Sequence, residues 1–77
     1  MSLAEAVKVR ILTLMKERGF SQYDFYTKGG IAKSTVSQVL NGTRERVAFK
    51  TIYEMISTMG VSLKEFCDDP IFDNILD

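Results

Sequence analysis

Residues 20–42 read FSQYDFYTKGGIAKSTVSQVLNG, and the fold is decided here. Ser21 is a residue type that caps helix N-termini, and Asp24, three positions on, completes a capping pair. A short helix is expected over residues 22–28. Gly29 and Gly30 end it, because glycine takes the left-handed backbone of a tight interhelical turn without steric cost. A second helix is expected over residues 33–40, stopped by Asn41-Gly42. Phe25, Ile31, Val36 and Val39 fall on the inward side and hold the pair together. Lys33, Ser34, Thr35, Ser37 and Gln38 remain outside on the second helix. Two short helices around a glycine turn form a helix-turn-helix.

On the N-terminal side, Ser2 and Glu5 make a capping box that opens a helix over residues 3–18. Val7, Ile11 and Leu14 recur at helical spacing as one apolar stripe, which Leu3 extends. Lys8, Arg10, Lys16 and Arg18 are expected elsewhere on its surface, the last two near the negative end of the helix dipole. Gly19 ends this helix, and Phe20 is placed to staple onto the next.

On the C-terminal side a polar loop with two arginines leads to a fourth helix over residues 49–59. Its expected inward stripe is Phe49, Ile52, Tyr53 and Ile56, with Met59 at the end. Gly60 stops it. Ser62 and Glu65 form a third capping box for a short fifth helix near residues 63–66, which Asp68-Asp69-Pro70 ends. Ile71, Phe72, Ile75 and Leu76 fit a further helical turn or two. The expected architecture is all-α, a compact bundle of five short helices in one domain over residues 1–77. Its core spans 3–68 and its tail 69–77.

Composition narrows the function. The 77-residue chain is 45% hydrophobic with one proline, enough for a packed core near the lower size limit for one. A single cysteine, Cys67, excludes an internal disulfide and fits a reducing cytoplasm. With no histidine, neither a zinc site nor any cofactor is expected. No apolar run approaches a membrane span, and no signal-peptide pattern opens the chain. The net charge is zero, but its distribution is uneven. Residues 1–50 carry nine Lys/Arg and four Asp/Glu, a net of +5; residues 51–77 carry one and six, a net of −5. This asymmetry suggests a basic face followed by an acidic tail.

The order of motifs resembles the lambda-repressor-like (XRE/Cro-type) helix-turn-helix transcriptional regulators, over roughly residues 11–72. The resemblance rests on Gly19-Phe20-Ser21-Gln22, Gly30-Ile31, Ser34-Thr35-Val36-Ser37, Leu40-Asn41-Gly42, Thr51-Ile52 and the run from Met59 to Phe66. The ending Asp68-Asp69-Pro70-Ile71-Phe72 is similar to that of small regulators of this family from Gram-positive bacteria. The resemblance implies a five-helix bundle whose third helix enters the DNA major groove. It also implies that Lys33, Ser34, Thr35 and Gln38 lie at base edges, that Gln22 meets a phosphate, and that Asn41 and the loop 43–46 meet the backbone. Three positions depart from the family pattern. Tyr26 stands where a small alanine usually faces the third helix. Ala32 replaces a capping Ser or Thr, a loss of roughly 1 kcal/mol unless the helix begins later and Ser34 caps it. Met15 stands where the first helix often carries arginine.

The chemistry of these side chains agrees with that implication. A helix N-terminus favours phosphate through its unpaired N–H groups and dipole, and Gln22 adds an amide donor there. Gln38 can bond adenine through two contacts, Lys33 can donate to guanine O6 and N7, Ser34 can pair with several edges, and the Thr35 methyl can touch a thymine methyl. Ser37 shares their face. Candidate base contacts are therefore Lys33, Ser34, Thr35, Ser37 and Gln38; candidate phosphate contacts are Gln22, Asn41, Thr43, Arg44 and Arg46. As alternatives, this polar face is only solvated, and the Thr35 hydroxyl serves local backbone. Tyr23, Tyr26 and Tyr53 are expected as half-buried core, and Cys67 as a small apolar residue.

The function expected is sequence-specific binding of double-stranded DNA by a small cytoplasmic repressor, as a homodimer on two half-sites. Ile71, Phe72, Ile75 and Leu76 are dimer candidates, or else pack back beside Val7 or Leu14. The competing reading is a protein-interaction or antitoxin-like module that uses the same fold on a protein partner. An enzyme lacks support, since no nucleophile stands with a base and no phosphate-binding glycine loop is present.

Overall fold

The computed structural model describes residues 1–41 and 48–76. Five α-helices follow in order: α1 (Leu3–Arg18), α2 (Gln22–Gly29), α3 (Lys33–Leu40), α4 (Phe49–Thr58) and α5 (Leu63–Cys67). A 3₁₀ helix, Pro70–Asn74, closes the chain. The fold is all-helical among the described residues. Its radius of gyration, 11.6 Å, is close to the ~11.5 Å of a globular chain of this length.

Local chemistry accounts for most of the boundaries. Ser2, Ser21 and Ser62 each accept a bond from the N–H three residues on, at 3.2, 3.2 and 3.0 Å. Only at Ser21 is the box reciprocal, with the Ser21 N–H donating to Asp24 Oδ2 at 2.8 Å. The Glu65 carboxylate instead accepts from Arg18 at 2.9 Å. α3 begins at Lys33 with Ala32 at its cap position and no side-chain bond there; Ser34 does not serve as the cap.

The two turn glycines are needed for different reasons. Gly30 sits in the left-handed region at φ 64°, where a Cβ is strained. Gly29 is still helical, but a Cβ on it would stand 2.5 Å from the Thr58 hydroxyl. The close packing of α2 on α4 requires a residue without a side chain at that point.

Phe25, Ile11, Leu14, Met55, Ile56 and Val36 are the largest fully buried side chains, so α1 to α4 all feed one core. α1 packs against α3 and the 3₁₀ helix, α2 against α3 and α4, and α4 against α5.

Three expectations about burial are corrected. The inward stripe of α4 is Ile52, Met55, Ile56 and Met59, while Phe49 and Tyr53 are 71% and 50% exposed. Both sets are apolar at helical spacing, and the packing of α4 on α2 and α5 turns Ile52, Met55, Ile56 and Met59 into the core. Tyr23 is 65% exposed rather than half-buried. Arg10 is not on the surface but is 9% exposed. Its Nε donates to the Phe66 carbonyl at 2.9 Å and its Nη2 to the Glu65 carbonyl at 2.8 Å, and Nη1 lies 3.3 Å from Asp69 Oδ2. A five-residue helix cannot stand alone. At its C-terminal end this guanidinium satisfies the Phe66 carbonyl and adds a second donor to the Glu65 carbonyl, which also accepts from the Asp68 N–H at 3.3 Å. Asp69 also accepts from the Ile71 N–H at 2.9 Å, so one carboxylate starts the 3₁₀ helix and holds the arginine.

Candidate nucleic-acid interface

α2 and α3 present the helix-turn-helix. Phe25, Ile31, Val36, Val39 and Leu40 are buried between them and the rest of the core. With those residues inside, the 3.6-residue repeat turns Ser34, Ser37, Gln38 and Asn41 outward, with Lys33 and Thr35 at the flanks. Lys33, Ser34 and Asn41 are exposed, and Thr35, Ser37 and Gln38 are half-buried. The Asn41 amide donates to the Ser37 hydroxyl at 2.7 Å, which ties the end of the outward face to its middle. Gln22 is exposed on the first turn of α2. Thr43, Arg44 and Arg46 lie outside the described residues.

The face is electropositive at its start. α3 has no acidic residue in its first turn and no side-chain cap, and Lys33 occupies the first helical position. Its partial positive end is therefore uncompensated locally. Lys33 Nζ stands 5.7 Å from the centroid of the Tyr26 ring. Tyr26 is half-buried against the core and meets Tyr23 edge-on, ring centroids 6.3 Å apart. On α2, Lys28 lies 3.7 Å from Asp24 and 5.7 Å from the Phe20 ring centroid. The Ser21 backbone bond, helped by the Ser21 hydroxyl and by Lys28 and opposed by partial burial, holds the Asp24 carboxyl below the ordinary aspartate range.

The tail residues divide. Phe72 packs on the core, its ring 5.5 Å from that of Phe66. Ile71 and Ile75 are half-buried, and Leu76 is 82% exposed. The Leu76 N–H donates to the Met1 carbonyl at 2.9 Å, tying the tail to the start of the chain.

The sequence reading missed the pairing of Tyr26 with Lys33. The signal was present in the two residue types, an aromatic and a lysine on either side of the turn. Their meeting depends on the angle at which α2 and α3 cross.

A family model described as helix-turn-helix matches residues 11–66. The chain belongs to this family, of the lambda-repressor-like (XRE) type, and so to the DNA-binding helix-turn-helix regulators. Comparison with curated proteins and with solved structures gave no match. Among the described residues no helix is long and apolar enough to cross a membrane.

Proposed function

We propose that the protein binds double-stranded DNA sequence-specifically and regulates transcription, as a repressor that occupies an operator. The observation that carries this reading is α3 itself. It lies inside the family match, and its outward face offers directed donors and acceptors behind an uncapped, positive N-terminus. Lys33, Ser34, Thr35, Ser37 and Gln38 read base edges in the major groove. Gln22 and Asn41, with Thr43, Arg44 and Arg46, hold the phosphates. One protomer of this size reads a short half-site, so the working form is a homodimer on two half-sites about one helical turn apart. The exposed Leu76, together with Ile71, Phe72 and Ile75, is the proposed contact between protomers.

Selection of bound sequences from a random duplex pool tests the whole reading. A recovered motif with two-fold symmetry supports both the operator and the dimer. A salt titration on that site should show log affinity falling steeply with log salt. No enrichment, together with no binding to any duplex at low salt, would remove the DNA reading. The exposed Asp68 and Asp73 of the acidic half would then favour the second reading, a module of this fold bound to a protein partner.

A further inference from the structure

Two lysines flank the turn of the motif, and each sits over an aromatic ring. Lys28 Nζ lies 5.7 Å from the Phe20 centroid, and Lys33 Nζ lies 5.7 Å from the Tyr26 centroid. Their charges are treated differently. Lys28 also pairs with Asp24 at 3.7 Å, whereas among the described residues no carboxylate pairs with Lys33. The ring beneath Lys33 is itself held, by packing on the core and by the edge of Tyr23, at 85° to it.

We propose that Tyr26 is a positioning residue for Lys33, holding its ammonium at the first turn of α3 with the charge intact for DNA. The proposal rests on α3 being the helix that meets DNA. An exposed lysine has many rotamers, and ordering it on binding opposes affinity. The negative face of an aromatic ring attracts the cation within about 6 Å of its centroid, so part of that ordering is already present in the free protein. A carboxylate in the same place would order the side chain equally well, but would have to be displaced or left beside a phosphate. The ring adds no formal charge. Tyr26 thus tunes the contact made by Lys33 without itself touching the nucleic acid.

Two measurements test this. In the free protein, the Lys33 ε-methylene protons should be shifted upfield by the ring current in the wild type and in Tyr26→Phe, and not in Tyr26→Leu. Absence of that shift in the wild type overturns the clamp. For duplex binding, with all variants verified as fully folded at the assay temperature, Tyr26→Leu should weaken affinity about two- to fivefold and Tyr26→Phe should match the wild type. In a Lys33→Met background the Tyr26→Leu substitution should have no further effect. Equal losses from Tyr26→Leu in both backgrounds would show that the tyrosine acts through packing alone and overturn the proposal. If the wild type binds no duplex at low salt, the DNA reading fails and the positioning role falls with it. The ring-current shift would then still report whether the clamp exists.

Discussion

Helices α1, α2 and α5 start on Ser2, Ser21 and Ser62, each hydroxyl accepting from the N–H of an acid three residues on. α3 and α4 start on Ala32 and Ala48, with no side-chain cap and no acid in the first turn. Lys33 and Lys50 stand in those first turns instead. The closed ends satisfy N–H groups and oppose the dipole from within their own four residues. The open ends do neither, so α3 depends on its buried Val36, Val39 and Leu40, and α4 on Ile52, Met55 and Ile56. The difference separates two kinds of helix N-terminus: one is closed by its own side chains, and the other has neither a side-chain cap nor an acid in its first turn. In this family it is α3, one of the open ones, that is expected at the DNA.

The comparison can be broken most severely at α5, the shortest helix, which is closed at both ends. Arg10→Met removes two charged bonds to its carbonyls and leaves Asp69 without its cation. It should destabilise the fold by about 2–4 kcal/mol, read as a fall in the denaturation midpoint. A similar loss should not follow from Lys16→Met, an exposed cation on the same helix.

Reversing charge at the open end should separate stability from binding. Lys33→Glu places an acid at the N-terminus of α3, which favours the helix by about 0.3–1 kcal/mol. Duplex affinity should nevertheless fall roughly tenfold or more, with a shallower salt dependence in a filter-binding or anisotropy titration. An unchanged affinity would mean that α3 does not use its first turn on DNA.

Exchanging the two kinds of cap should move stability in opposite directions. Ser21→Ala should cost roughly 1 kcal/mol, and Ala32→Ser should add a comparable or smaller amount. In a chain of this size that is about 4–8 °C of melting temperature per kcal/mol. If Ala32→Ser stabilises while weakening duplex binding, the open end is used; if it stabilises with binding intact, the open end is only tolerated.

The smallest effect is on acid stability. The Asp24 carboxyl titrates below its ordinary range because the folded state bonds its ionised form. Its contribution is complete above the unfolded value near pH 4. It is lost as pH falls through the lower folded value. Asp24→Asn should therefore flatten the dependence of melting temperature on pH below about 4 and leave the neutral-pH slope unchanged.

Much of this molecule was legible one residue at a time. Ser2, Ser21 and Ser62 marked helix starts, and Gly19, Gly30 and Gly60 marked stops because all three adopt positive φ. The inward set of the motif was also legible, since Phe25, Ile31, Val36 and Val39 have only one apolar face to occupy. α4 was not. Phe49, Ile52, Tyr53, Met55, Ile56 and Met59 spread over an arc of about 160° at 3.6 residues per turn, so periodicity admits two inward stripes. α1 hid Arg10 for a related reason. A cation beside an apolar stripe reads as surface unless the partner that will pair with it is known, and its partners lie more than fifty residues away in the chain.

The candidate site shows the same division. The sequence alone placed Lys33, Ser34, Thr35, Ser37 and Gln38 on the outer side of α3, because helical spacing with Val36 and Val39 inside leaves the other side to them. In the fold Lys33 and Ser34 are exposed, and Thr35, Ser37 and Gln38 are half-buried. Only the tertiary structure decided that Lys33 rests on Tyr26, that Gly29 must lack a side chain beside Thr58, and that Arg10 closes α5. Capping and turn chemistry act within about four residues, so the order of residues states them directly. Cation–ring contacts, helix crossings and buried ion pairs join residues that only the folded core brings together.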